Sequence, residues 1–437
     1  MKKHYFIILM IVSFIMGANI LLPAQDNTTV PQVIIGIGGR FESQAPYFDY
    51  VNVASFNPAT KAYTIFDTIY TQSVQDVLIV DHYAYVAAQD TIVKYDLDTH
   101  QRLAAVADSG MVKLGIDGDK LIVTKGYPVK RFFVEILDAN TLALFSLIDN
   151  ISGDCGGVLA TTDSVYVAVN GGYQGSEGKL AVLDPTSWTL VHEINFGTDA
   201  VGIWSVFGYG GFVYTVNSTP GGTAPTGSIT KCDIGTETFT NHVMGVTVGF
   251  GIGIQGTLLY ALFNNGIGSY DLSTDLIADT MIIRNPGSAN HVYFIAAALD
   301  YVNNDFYLNV GNYTAPGRGY ETTLAGDSIT SFNEGISANA IGIEFLTPAG
   351  IHSGSASNET IGLAPNPVNN WLNVSFNDLK DINAMKIVDI TGRTIYSSAL
   401  QGNEKSVRIN TSSYSPGVYF LSANLGNGAI TKKFIKQ

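Results

Sequence analysis

Residues able to carry catalysis are few and scattered in this chain. Its seven histidines, at positions 4, 82, 100, 192, 242, 291 and 352, form no HxH or HExxH pair, and the closest two are 18 apart. No metal site of that spacing is encoded, and no cofactor or metal is expected. No GxSxG nucleophile elbow occurs either. Asp117-Gly118-Asp119 and Asp96-Leu97-Asp98 look like the start of a calcium loop, yet each falls where a turn is due and neither continues into further ligands. An enzyme that draws its site from distant loops stays open on these grounds. Cys155 and Cys232 stand 77 positions apart in different sequence repeats; export permits a bridge and geometry restricts it.

A better case exists for binding. Long Gly-rich segments, 36–50, 124–133, 170–179, 217–228 and 311–327, carry Arg40, Phe41, Tyr47, Tyr127, Lys130, Arg131, Tyr173, Tyr313, Arg318 and Tyr320. A second set, Gln75, Asp76, Lys113, Trp204, Phe250, His291 and Tyr293, falls where a strand is about to begin. Aromatic and cationic groups gathered on one concave face suit a large, partly flat ligand or a glycan, through stacking and cation–π contacts. The plainer reading is that tyrosines in such loops are ordinary surface and that Trp204 and Phe250 fill space.

The elements that must position these residues repeat. DVLIVDHYAYVAAQDTIVKYDLDTHQRLAAV, residues 76–106, holds four alternating apolar runs separated by turns, and its aspartates suit the turn before the fourth run. The pattern returns at 113–148, 156–194, 202–243, 251–283 and, more loosely, 296–333. A period of about 40 to 50 residues with four strands per unit predicts an all-β chain folded as a β-propeller over 31–348. The first copy has three strands, Val33–Ile37, 50–56 and Tyr63–Ile69, and the body ends with a lone one in IGIEFL, 341–346. Pairing that strand with the first copy would close a ring of seven blades and remove its edges. Six or eight blades would also fit the spacing. In such blades the loops between strands two and three emerge on the same face as the first-strand starts, and that is where the long segments lie. At VYVAVN (165–170) and VYTVN (213–217) the body resembles the YVTN-repeat, surface-layer-type propellers. Some members of that class capture corrinoids or glycans, so the resemblance implies nutrient capture as the sharper form of binding.

Charge narrows the partners. The formal charge is −14, unevenly spread: residues 363–437 hold eight Lys/Arg against four Asp/Glu, and the body between the leader lysines and residue 363 holds 13 against 33. A body of that sign repels phosphate backbones, so nucleic acid is not an expected partner. Lys2 and Lys3 precede an apolar run from Tyr5 to Ala18, followed by Leu22-Pro23-Ala24, which reads as a signal peptide over 1–24. The run is short for a membrane span of roughly 20 residues, and no cysteine follows it to carry a lipid.

After a small polar linker at 349–362 the chain takes on a new grammar. Pro365-Asn366-Pro367 stiffens the entry to Leu372, Val374 and Phe376; KIVDITGRTIYSS (386–398) makes two strands about a turn; Pro416-Gly417 turns into another strand. About 75 residues suffice for a small antiparallel β-sandwich. PNPVNNWLNV, DITGR, SPGVYFL and KKFIKQ resemble, in order and over 363–437, the type A C-terminal sorting domain of the type IX secretion system of diderm bacteria. The motif residues are Pro365, Asn366, Pro367, Gly392, Arg393, Gly417, Tyr419, Lys432 and Lys433; Ala364 departs from the aromatic usual there. The resemblance implies the translocon and sorting peptidase as partners, removal of this domain, and release or anchoring outside the outer membrane. In those bacteria Asp-Ser/Thr-aliphatic triplets accept O-glycans, and five occur here, at 67–69, 90–92, 163–165, 279–281 and 327–329; the same triplets also serve as turn entries. The combined expectation is a monomeric, exported propeller that binds a small ligand, glycan or protein on its long-loop face. Alternatives are a lactonase, lyase or glycan-cleaving propeller, and a structural or adhesive surface protein.

Overall fold

The computed structural model describes residues 28–42, 49–172, 175–218, 227–264, 266–286, 292–346, 360–377, 382–389, 394–399, 405–425 and 428–437. The leader expected at 1–24 lies outside them. Two compact units separate, one of them Thr28–Leu346 and the other containing Thr347–Gln437.

The first unit is a propeller of seven four-stranded antiparallel sheets. Blade 2 shows the pattern: Val74–Val80 lies innermost, then Tyr83–Ala88, Thr91–Asp96 and Gln101–Ala107. Its middle strands are buried almost throughout, because neighbouring blades cover both faces, while the outermost strand is largely exposed. Blades 3 to 6 repeat this arrangement, beginning at Met111, Cys155, Ile203 and Val248. Blade 1 is closed by the end of the unit. Ala340–Ile343 pairs antiparallel with Val33–Ile37, placing Val33 opposite Ile343 and Gly36 opposite Ala340. Each innermost strand packs on that of the next blade, around the whole ring. Closure leaves no innermost edge free for pairing with another chain.

Blade 7 corrects the sequence reading. The span 311–327 was expected to be one long loop, but it contains the blade's third strand, Arg318–Thr323, paired with both Asp305–Gly311 and Ser328–Asn333. Arg318 and Tyr320 therefore lie on that strand and not on a loop.

The turns between third and fourth strands share one construction in blades 1 to 6. Asn57, Asp96, Asp138, Asp184, Asp233 and Asp271 each accept a backbone N–H two or three residues on. The residue four positions after each has positive φ: Lys61, His100, Leu142, Trp188, Glu237 and Asp275. A non-glycine there costs about 1–2 kcal/mol, and its side chain reaches back to the preceding blade. Lys61 bonds Glu321, His100 bonds Gln32, Glu237 pairs with His192, and Asp275 pairs with Lys231. Leu142 and Trp188 instead enter apolar clusters with blade 2 and blade 3 residues. Fixing a costly backbone at one site thus ties each blade to its predecessor.

The second unit is a small β-sandwich. One sheet joins Thr360–Ala364, Trp371–Asn377 and Ser406–Asn410; the other joins Thr394–Ala399, Ile382–Asp389, Gly417–Leu425 and Gly428–Lys436. Its first strand begins within the stretch read as linker. Leu372, Val374, Met385, Ile387, Leu421 and Phe434 form its core.

Candidate functional site

Six innermost strands carry a bulge near the end where they begin: 74–76 in blade 2, 111–113 in blade 3, 155–158 in blade 4, 203–205 in blade 5, 248–251 in blade 6 and 294–296 in blade 7. A bulge breaks strict alternation and re-aims side chains. Here it brings Asp76, Lys113, Trp204 and Phe250 to the mouth of the central channel. They line a cavity of about 120 Å³ there, with Ser205, Ile295 and Asn339.

A larger cavity, about 510 Å³, lies to one side, over blades 3 to 6. Trp204 and Phe250 belong to both cavities and form the partition between them. Val112 and Tyr127 add apolar wall; Asp154, Asn170 and Ser218 are its polar side chains. Trp204 is 41% exposed and Tyr127 86%, a large aromatic area left facing solvent. A contiguous exposed apolar patch rimmed by polar groups marks an interaction site.

Asp154 is held by two loops. Its carbonyl accepts the N–H of Asn170 at 2.9 Å and of Gly171 at 3.2 Å, and its Oδ2 accepts the Tyr127 N–H at 3.2 Å. Asn170 Oδ1 in turn accepts the Gly172 N–H at 2.8 Å. The carboxylate fits because two neighbours have no side chain. A Cβ on Gly126 would sit 3.2 Å from Oδ2, and one on Gly172, at φ +67°, would sit 2.5 Å away. Cys155, at the cavity base, is fully buried, and burial holds its thiol well above the ordinary value, with the Glu193 and Asp154 charges adding to the effect. It is a packing residue and not a nucleophile. Cys232 is also a free, buried thiol, so the two cysteines are not bridged.

Of the residues singled out in the sequence, Asp76, Lys113, Tyr127, Trp204 and Phe250 come together. Asp76 and Lys113 neutralise each other at 2.9 Å, and the second Asp76 oxygen accepts the Leu114 N–H; both groups brace blades 2 and 3. Arg131 faces Asp149 at 2.9 Å and covers the Phe132 ring. Arg40 donates to the Thr314 carbonyl, tying the blade 1 loop to the blade 7 loop that carries exposed Tyr313. Tyr293, 38% exposed, begins the first strand of blade 7. Arg318 donates to Ser331 Oγ and lies 6.0 Å from the Tyr320 ring. Tyr47, Tyr173 and His291 lie outside the described residues. Among the described residues, no three His, Cys, Asp or Glu side chains converge as a metal cage. Among the Asp-Ser/Thr-aliphatic triplets, Thr68 Oγ1 is hydrogen-bonded to Asn52, whereas Ser328 is exposed.

Sequence reasoning missed Asp154, Asn170 and Ser218. Asp154 stands one residue before the first strand of blade 4, whereas Asp76 and Lys113 are the third residues of theirs, so the register that picks those two does not reach it.

In the second unit the entry segment clamps the last strand. Asn366 Oδ1 accepts the Ile435 N–H at 2.8 Å, its amide donates to the Lys433 carbonyl, and Val368 bonds Ile435 and Gln437. Tyr419 is buried and donates to the Ser415 carbonyl, beyond the turn that ends at Gly417. Lys433 is exposed and Lys432 half-buried; Gly392 and Arg393 lie outside the described residues. This clamp joins the motif's two ends, which sequence order places about 70 residues apart. Residues 363–437 match the family described as the secretion system C-terminal sorting domain. The tail is thus the sorting module of type IX secretion, and its bearer is a secreted or cell-surface protein handled by that machinery. Among the described residues no helix is long and apolar enough to cross a membrane.

No curated protein matches the chain. Two solved structures share the propeller fold. One is a functionally unknown protein from Desulfotomaculum acetoxidans, 14% identical, with a TM-score of 0.51, covering 71% of this chain and 98% of its own. The other is a candidate 6-phosphogluconolactonase from Bacteroides uniformis, 10% identical, with a TM-score of 0.51, covering 72% and 99%. At such identities the likeness is one of fold alone.

Proposed function

We propose that the propeller captures a small, largely apolar ligand in the cavity over blades 3 to 6, outside the cell, as a monomer delivered by a cleaved signal peptide and its sorting domain. The carrying observation is the cavity of about 510 Å³ walled by Trp204 and Phe250. Its volume lies within the range of small-molecule sites, and an apolar lining with a few placed polar groups is their usual composition. Capture is favoured over turnover because acid–base chemistry calls for a titratable group within reach of the reacting atom and a second to complement it. Asp154 shares the wall with an amide, an aliphatic hydroxyl, the exposed phenol of Tyr127 and a thiol held protonated by burial, with no second carboxylate or imidazole among the described lining residues.

The test is a binding screen on the purified full chain against corrinoids, haem, glycans and small aromatic compounds, read by tryptophan emission and calorimetry. Ligands of the cavity are expected to quench Trp204, and Trp204→Ala to weaken them at least tenfold, about 1.4 kcal/mol. Binding that survives both Trp204→Ala and Phe250→Ala would place the ligand elsewhere.

A further inference from the structure

Resting on the capture reading, we infer that the cavity selects planar aromatic ligands that carry a fixed positive charge, such as a quaternary arylammonium, and disfavours anions. Asp154 contributes an anionic group to the wall whose bond there comes from a backbone N–H of Tyr127, not from a cationic side chain. The cations nearest in the fold are engaged with other carboxylates. Lys113 pairs with Asp76, Arg131 with Asp149, Lys125 with Asp108 and Glu135, and Lys179, which also bonds Ser152, with Glu193. Lys130 is exposed on the loop that carries Tyr127 and is not part of the lining. The sequence at 173–174 and 219–226, outside the described residues, includes no charged residue. An anion entering here would face an uncompensated carboxylate across an apolar wall, where charge is poorly screened. A cation would face the same carboxylate favourably.

The aromatic walls act in the same direction. The faces of Trp204, Phe250 and Tyr127 attract a flat ligand by stacking and a positive charge through the ring quadrupole. The glycines at 126 and 172 have a use in this arrangement: any side chain there would push against the Asp154 carboxylate. The acidic body raises the local concentration of cations further. Haem, with its propionates, is of the wrong charge for this wall, and so is a sugar acid.

Three naphthalenes of nearly equal shape test the inference on the full chain: trimethyl-2-naphthylammonium, 2-naphthol and 2-naphthoate, titrated with Trp emission as readout. The cation is expected to bind at least tenfold more tightly than the naphthoate. Asp154→Asn is expected to bring the two within about threefold, and Asp154→Ser serves if the first variant does not fold. Raising ionic strength is expected to narrow the preference in the unaltered chain. Naphthoate bound as tightly as the cation overturns the charge inference and leaves capture standing. Failure of all three to bind overturns the inference, and the wider ligand screen then decides the capture reading. A cation preference that persists in both Asp154 variants assigns it to the general field and overturns the role of Asp154.

Discussion

The two sides of the ring hold charge in different places. Where the ring closes, through blades 7, 1 and 2, ionisable groups are drawn inside. Lys61 of blade 1 clasps Glu321 of blade 7 at 2.6 Å, beside Asp305, and the carboxylate of Glu344, 1% exposed, takes the Gln32 amide. Glu334 is buried beside Tyr63, and among the described residues neither its carboxylate oxygens nor the Tyr63 hydroxyl finds a hydrogen-bond partner. Over blades 3 to 6 the groups exposed at the mouth are aromatic, and Asp154 is their one acidic companion in the cavity wall. The closing side uses charge to fix structure at an electrostatic cost. The open side buries Lys125 between Asp108 and Glu135, outside the cavity lining, and leaves Asp154 as the carboxylate that a ligand meets. Substitutions on the first should move stability, and on the second, binding.

The largest effect expected is a dependence on pH. Burial pushes the Glu334 carboxyl up to about 8, and burial with the Glu321 and Asp300 charges pushes Asp305 up to about 6. Both carboxyls hold protons in the fold that the unfolded chain has released. Stability therefore is full below the ordinary carboxylate range and falls as pH rises, through about 6 for Asp305 and about 8 for Glu334. The slope approaches ~1.4 kcal/mol per pH unit for each group while it titrates. Glu334→Gln should remove the upper part of this loss, so that the variant gains on the parent most at pH 9. Thermal unfolding from pH 5 to 9 reads it directly. An unchanged slope in the variant would show that Glu334 is ionised and partnered.

Next in size is the clasp. Glu321 is 4% exposed at its side chain and Lys61 is 40%, so removing the lysine leaves a buried carboxylate next to Asp305. Breaking a fully buried pair costs about 3–5 kcal/mol; half-exposure of Lys61 lowers the expectation to about 2 kcal/mol for Lys61→Met. Adding Glu321→Met should recover most of it, because the stranded charge goes too. A denaturant midpoint that does not recover in the double variant contradicts this account.

What was legible in the sequence follows the same division. Alternating runs and aspartate turns carry the blades, since each meets a local requirement of strand or turn. The lone strand near residue 341 carries the closure, because an unpaired edge has few other uses. The positive-φ residue after each aspartate turn was not legible. Lys, His, Leu, Trp, Glu and Asp share a position and no chemistry, so the common feature is a backbone state. The strand Arg318–Thr323 was hidden because RGYETT is polar, and its Glu321 is polar only to meet Lys61 from another blade. Trp204 and Phe250 could be found by register alone. Asp154 was not legible because Ser152-Gly153-Asp154 stands ahead of the strand and reads as an ordinary turn.

The smallest expected effect on stability sharpens the comparison most. Trp204 is a large side chain, and in a core its loss as Trp→Ala would cost about 3–5 kcal/mol. Its position on a bulged strand leaves it 41% exposed, between two cavities that already contain open space. Truncation removes area that solvent partly covers and creates no sealed void, so Trp204→Ala should destabilise by about 1 kcal/mol or less. The same variant should lose at least tenfold in ligand affinity, whereas Lys61→Met should leave affinity unchanged while lowering the midpoint. That crossing of effects is the measurement to make on one preparation: unfolding and naphthylammonium binding side by side. If Trp204→Ala proves as costly to the fold as Lys61→Met, the tryptophan is the ring's central packing and the open side is structural after all. If the effects cross, an aromatic residue is held at the mouth where the fold has little use for it, and its exposure is explained by what it binds.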